Sequence, residues 1–152
     1  MYWLLKSEPD EFSIQDLESK KQAPWDGVRN YQARNFIEQM TPGDRAFFYH
    51  SSCKSIGIAG EMEIVSAPYP DPLAINPKSA YFDKKSLNEN KWLAIEVKHI
   101  QTYTQVLPLS KIKKIAETEP KMATFDLIKK GSRLSVMPVS SEQWQILSKL
   151  LS

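Results

Sequence analysis

Residues 45–65 read RAFFYHSSCKSIGIAGEMEIV, and the fold class turns on this stretch. Arg45 to His50 is a dense apolar and aromatic run, the pattern of a buried strand. Ile56 to Val65 reads as a second strand. Its glycines at 57 and 60 predict a bulge or a close approach of a neighbouring backbone. On the N-terminal side, Thr41-Pro42-Gly43-Asp44 stops a helix expected over 31–40, in which Phe36, Ile37 and Met40 share a side. Further back, Tyr2 to Leu5 is a short apolar strand. Ser13 with Asp16 forms a capping box for a helix reaching about Lys20. The segment 22–30, QAPWDGVRN, shows no periodicity and reads as a turn.

On the C-terminal side, residues 66–90 hold Pro68, Pro70, Pro72 and Pro77 and form the longest irregular stretch, a lid or a plain surface loop. Trp92 to Ile100 alternates apolar and polar residues as a half-buried strand does. Short helices are expected at Ser110 to Ala116 and Ala123 to Lys130, the second ended by Gly131. Leu134 to Val139 is a strand interrupted by Pro138, which assigns it to an edge or end. Ser140 with Gln143 is a second capping box. It opens a last helix with Trp144, Leu147, Leu150 and Leu151 at helical spacing. Strands thus alternate irregularly with short helices. The expected class is α+β, with a strongly bent sheet or barrel.

Composition removes several functions. The chain has 152 residues with 41% hydrophobic and 25% charged residues, outside the disordered range. One cysteine, Cys53, cannot form an internal disulfide, and with only His50 and His99 beside it a zinc site is not expected. No apolar stretch approaches the roughly 18 residues of a membrane span. Acids at Glu8, Asp10 and Glu11 speak against a targeting peptide. The expectation is one cytoplasmic domain over 1–152, monomeric and without membrane contact. Charge is uneven. Residues 1–83 carry 8 Lys/Arg against 12 Asp/Glu, a net of −4, and residues 84–133 carry 11 against 5, a net of +6. The basic half is either a phosphate-facing surface or a solvated helix face.

No catalytic constellation emerges. Cys53 and His50 are three residues apart, but on a strand they would face opposite ways. Ser51 and Ser52 beside His50 lack a G-x-S-x-G elbow, and GIAG at 57–60 is not a phosphate fingerprint. The acidic opening at 8–11 reads as a solvated turn. Three segments do carry chemistry unusual for their setting: Lys6-Ser7-Glu8-Pro9 at the end of a strand, Trp25 to Asn30 with its ring in a glycine-containing loop, and Tyr49-His50-Ser51. A planar heteroaromatic ligand needs this mixture of ring faces and edge donors and acceptors. The plainer alternative has Trp25 plugging the end of a barrel and Asp26 capping a turn. Trp92 and Trp144 sit in periodic patterns and are expected in the core.

Four segments carry a resemblance to a known family: YWLLKSEPDEFSIQDL at 2–17, WDGVRNYQARNFI at 25–37, PGDRAFFYHSSC at 42–53 and SRLSVMPVS at 132–140. Together they resemble the EVE domain, in order and over about residues 2–151. The resemblance implies a PUA-like fold, a bent mixed β-barrel with peripheral short helices related to YTH readers of methylated adenine. It implies a non-catalytic reader of modified nucleobases, since family members fused to restriction nucleases recognise 5-methylcytosine and 5-hydroxymethylcytosine in DNA. A modified base in RNA is the variant of that reading.

By the same resemblance the pocket would be lined by Lys6, Ser7, Trp25, Gly27, Val28, Arg29, Asn30, Tyr49, His50 and Ser51, completed by Arg133, Leu134 and Ser135. Arg29, Arg133, Lys129 and Lys130 would hold phosphates. Trp25 would stack on an extruded base and contribute little to stability. No cofactor and no metal are implied. The partner would be modified DNA or RNA, with a separate nuclease or modification enzyme acting afterwards. Two other functions stay open: a sensor of a free nucleobase-like molecule, and an accessory that positions RNA for a modification enzyme.

Overall fold

A computed structural model describes residues 1–151. Seven strands form one mixed sheet, accompanied by four short helices. The strands are β1 (Tyr2–Ser7), β2 (Gln22–Trp25), β3 (Arg45–His50), β4 (Gly57–Ile64), β5 (Tyr69–Pro70), β6 (Leu93–Pro108) and β7 (Val136–Val139). The helices are α1 (Ile14–Lys20), α2 (Tyr31–Glu38), α3 (Leu109–Ala116) and α4 (Ser141–Leu150). The hydrogen-bonded order is β2-β6-β4-β3-β1-β7, with β5 also on β6. The terminal strands β2 and β7 do not pair, so the sheet is curled rather than closed into the barrel the resemblance implies. The curl is that of a PUA-like fold.

Two devices bend the sheet. β6 runs for 16 residues and serves β2, β4 and β5 along its length. Its ladder with β4 slips between Ile58 and Gly60 and again between Glu61 and Met62. The glycine signal in the sequence corresponds to these close approaches. A Cβ at Gly57 would lie 2.0 Å from the Leu107 carbonyl oxygen, and one at Gly60 would lie 2.5 Å from that of Gln101. β6 was expected to end near Ile100, where its apolar alternation stops. It continues because Gln101 and Thr102, then Leu107 and Pro108, pair with β4 through the backbone, while much of the intervening stretch stays exposed.

Both capping boxes form. The Ser13 and Ser140 hydroxyls accept from the N–H groups of Asp16 and Gln143, whose side chains accept in return. The helix expected over 123–130 is replaced by two 3₁₀ turns, Pro120–Thr124 and Asp126–Ile128. Phe125 between them is extended and fully buried, so core packing overrides helix continuation. The stretch 22–25, read as a turn, is an edge strand. Pro24 is tolerated there because β2 pairs on one side only, with β6. Trp3, Leu4, Leu5, Phe47, Phe48, Ile58 and Met62 are fully buried, and consecutive residues among them pack on opposite faces of the sheet. Trp92 is buried as expected, and Trp144 is partly buried, its ring stacked 3.8 Å from Phe47.

Candidate nucleic-acid interface

The only parallel pair among the described strands sets the position of the site. β1 and β3 run side by side from Tyr2 opposite Arg45 to Ser7 opposite His50. Parallel neighbours bring their C-terminal ends together, so the chain leaves both strands at one end of the sheet. The Ser51 N–H donates to the Ser7 carbonyl at 3.0 Å, and the Lys6 N–H donates to the Ser135 carbonyl at 2.9 Å. Three segments far apart in sequence thereby meet. A cavity of about 800 Å³ opens there, lined by Lys6, Ser7, Ser51, Ser52, Arg133 and Ser135, and on its other side by Ala23 to Asn30. Glu8, Glu11, Phe12, Lys20 and Tyr81 complete the lining.

The residues expected in the pocket divide into two groups. Lys6, Ser7, Trp25, Gly27, Val28, Arg29, Asn30, Ser51, Arg133 and Ser135 line this one cavity. Tyr49, His50 and Leu134 lie in the layer behind it and are buried. His50 turns inward, where its Nε2 accepts the Ile14 N–H at 3.1 Å and satisfies an orphan donor of the first turn of α1. The accepting imidazole is neutral, and burial lowers its pKa. Tyr49 lies under the Lys6 ammonium, 5.7 Å from the ring centroid. Burial, with a smaller contribution from Cys53, pushes its phenol up to about 12. Burial also lowers the Lys6 pKa.

Trp25 belongs to both the cavity and the core. It is only 6% exposed, and its ring meets Phe48 edge-on at 5.2 Å and Phe12 at 6.4 Å. The expectation of a stacking ring with little structural weight is therefore corrected. A ring so packed supports the fold wherever else it acts.

The expected phosphate contacts also separate. Arg133 is exposed at the cavity. Arg29 instead turns into the protein. Its Nη1 pairs with Asp71 at 2.9 Å, and its Nε and Nη2 donate to the Tyr81 carbonyl at 3.0 and 2.8 Å. Lys129 pairs with Asp126 at 3.0 Å, and neither Lys129 nor Lys130 lines the cavity.

Several lining residues escaped the sequence reading. Tyr81 comes from the irregular stretch 66–90, whose role the sequence left open. Its hydroxyl donates to Glu11 across the cavity, and that bond, followed by burial, pushes it up to about 12. Its ring lies against Gly27, where an added Cβ would meet it at 3.2 Å. Asp71 anchors this stretch. Fully buried, it accepts from Arg29, from the Gly27 N–H at 2.8 Å and from the Leu73 N–H at 2.8 Å. Asp26 lines the cavity and is half-buried, and burial followed by the charge of Asp71 raises its pKa. The aspartate of an Asp-Gly pair gives no local sign of such burial. Among the described residues no cluster of three His, Cys, Asp or Glu is placed to hold a metal, and no helix is long and apolar enough to cross a membrane.

Comparison with known proteins places this geometry in context. A crystal structure of a Pseudomonas syringae protein superimposes with a TM-score of 0.93 at 50% identity, covering 99% of each chain. The human THYN1 protein in complex with 5-methylcytosine-containing DNA superimposes with a TM-score of 0.92 at 36% identity, covering 98% of this chain and 96% of that one. Thymocyte nuclear protein 1 of Homo sapiens is 37% identical over 166 residues, 98% of this chain and 73% of that protein. The EVE domain model matches residues 1–150. The chain belongs to the EVE domain family.

Proposed function

We propose that this chain binds DNA containing a modified cytosine and holds the modified base, extruded from its stack, in the cavity at the ends of β1 and β3. One observation carries the reading. The parallel ends of β1 and β3 and the segment Trp25 to Asn30 bring hydroxyls, ammonium groups and aromatic rings around one space of about 800 Å³. The human relative crystallised with 5-methylcytosine DNA has the same fold at a TM-score of 0.92. The reading is of binding without chemistry.

The energetics are nearly balanced. Extrusion from a duplex costs a few kcal/mol, and stacking on an aromatic ring returns about 1–3 kcal/mol per base. Trp25 exposes little of its ring, so Phe12 and Tyr81 would share that contact. Burying one methyl contributes about 0.8 kcal/mol, roughly fourfold in affinity. The hydroxyls of Ser7 and Ser51 and the polar groups of the 26–30 segment would therefore supply most of the choice between bases. Arg133 and Lys20 would meet the phosphates, so binding should weaken with salt.

The test is fluorescence anisotropy with labelled strands and duplexes carrying cytosine, 5-methylcytosine or 5-hydroxymethylcytosine at one position, at two salt concentrations. Preference for a modified base, weakened by salt and lost in Ser51→Leu, which puts a bulky apolar group where the Ser51 hydroxyl faces the cavity, supports the reading. Equal binding of all strands by the folded wild type and Ser51→Leu would move the interface elsewhere. RNA strands with the same bases, run alongside, decide between DNA and RNA.

A further inference from the structure

A cavity that holds 5-methylcytosine meets an abundant decoy. Thymine carries the same C5 methyl, so contact with that methyl cannot separate the two. They differ at position 4, an amino donor in cytosine and a carbonyl acceptor in thymine. They differ also at N3, which bears a proton only in thymine. Some group of the protein has to answer to those atoms.

Three carboxylates line the cavity, Glu8, Glu11 and Asp26. Glu8 is exposed to solvent. Glu11 already accepts the Tyr81 hydroxyl. Asp26 differs from both: it is half-buried and follows Trp25 directly. The two neighbouring donors that could have served it, the Gly27 N–H and the Arg29 guanidinium, both turn to Asp71 instead. Among the described residues no other residue donates a hydrogen bond to its carboxyl. A half-buried carboxylate without such a donor is an acceptor available to a ligand.

We infer that Asp26 is a specificity-determining residue, its carboxylate accepting the exocyclic amino group of a cytosine-type base held in the cavity and excluding thymine. The inference rests on the base-binding reading above. Carboxylate to cytosine N4 is a favourable pairing. Against thymine the carboxylate would face O4, acceptor against acceptor. Leaving such groups unpaired costs on the order of tenfold or more in affinity.

The experiment titrates short labelled single strands carrying 5-methylcytosine, thymine or an abasic site at one central position, against the wild type, Asp26→Asn and Asp26→Ala. Thermal melting establishes that each variant is folded. The wild type should prefer the 5-methylcytosine strand to the thymine strand by about tenfold or more. Asparagine keeps the shape and can present either its oxygen or its NH₂. Asp26→Asn should therefore bring the two strands within about threefold of each other, with thymine binding gained. Asp26→Ala should lose 5-methylcytosine affinity without gaining thymine. An unchanged preference in both variants would overturn the assignment. So would a wild type that prefers thymine, because the carboxylate would then be meeting the N3 proton. A wild type that binds the abasic strand as tightly as the 5-methylcytosine strand refutes the base pocket itself, a result separate from either of these.

Discussion

The two sides of the cavity are held by different forces. On the sheet side, Trp25 closes β2 against Phe48 and Phe12, and behind them lie fully buried residues of β1 and β3. On the other side stands Tyr81, carried by a stretch with two short 3₁₀ turns, Pro72–Ile75 and Lys84–Leu87. That stretch is tied down by polar contacts: Asp71 to Arg29, Gly27 and Leu73, Asp83 to the Trp92 indole at 2.8 Å, and Tyr81 to Glu11. Apolar packing resists salt and pH, and losing one large ring is felt by the whole fold. A polar anchor concentrates its effect in a few bonds, so its loss frees one segment. Substitutions on the two sides should therefore fail in different ways.

The largest effect is expected on the sheet side. Trp25→Ala should destabilise the protein by about 3–5 kcal/mol in urea unfolding, the usual range for truncating a buried aromatic. Base binding by Trp25→Ala then becomes interpretable only under conditions where the variant is folded. A loss below about 1 kcal/mol would mean that the packing of Trp25 with Phe48 and Phe12 does not support the fold, and the contrast between the sides would disappear. On the polar side, Asp71→Ala removes the partner of Arg29 and of two N–H groups. Arg29 keeps 22% side-chain exposure, so water softens the penalty. We expect a loss of about 2–4 kcal/mol. Hydrogen exchange should quicken across residues 71–91 while β1 and β3 stay protected. Uniform quickening across the sheet would show that the two sides are one cooperative unit.

The contrast also explains what could be read from the sequence. The sheet side announces itself locally. The apolar runs of β1 and β3, the Ser13–Asp16 box and the glycines of β4 each act through neighbours in sequence or through their own lack of a side chain. β2 was hidden because four residues including Pro24 carry no period, and its partner Ile95 opposite Trp25 is remote in sequence. The polar side is remote throughout. Nothing near Asp71 shows that it will meet Arg29, 42 positions earlier, and nothing near Tyr81 points to Glu11, 70 positions away. The family resemblance brought most of the lining residues into view. It could not separate Ser51, which reaches the cavity, from His50, which turns into the core. That choice depends on where β3 ends and on the N–H of Ile14 that His50 must satisfy.

His50 supplies a pH test of the sheet side. Burial holds its pKa below the ordinary 6.5, so the unfolded chain binds the proton more tightly than the folded one. Stability should therefore be full above about pH 6.5 and fall as the pH drops through 6.5 toward the lowered folded value. Protonation also removes the acceptor that Nε2 offers to Ile14. Melting temperature followed from pH 8 to pH 5 should drop in the wild type and drop less in His50→Gln, whose amide oxygen can accept but cannot titrate. Equal drops would assign the acid sensitivity to other groups.

The smallest effect belongs to the contact that joins the two sides. Tyr81→Phe keeps the ring against Gly27 and deletes only the hydroxyl donated to Glu11, an exposed residue. Its cost should be about 0.5 kcal/mol or less, because water readily replaces an exposed bond. The sign of the pH dependence is nonetheless definite. Glu11 first, and burial second, raise the phenol from 10.0 to about 12, so the contribution is complete below pH 10 and disappears as the pH rises through about 12. Tyr81→Phe should thus lie slightly below the wild type in stability at neutral pH and converge with it in strong alkali. Its greater consequence should be kinetic. With Glu11 released, residues 71–91 can leave the cavity mouth more often, and a bound strand should dissociate faster while associating at an unchanged rate. Stopped-flow dissociation of a 5-methylcytosine strand measures this directly. If Tyr81→Phe changes the association rate instead, Tyr81 bars entry to the cavity rather than retaining what has entered.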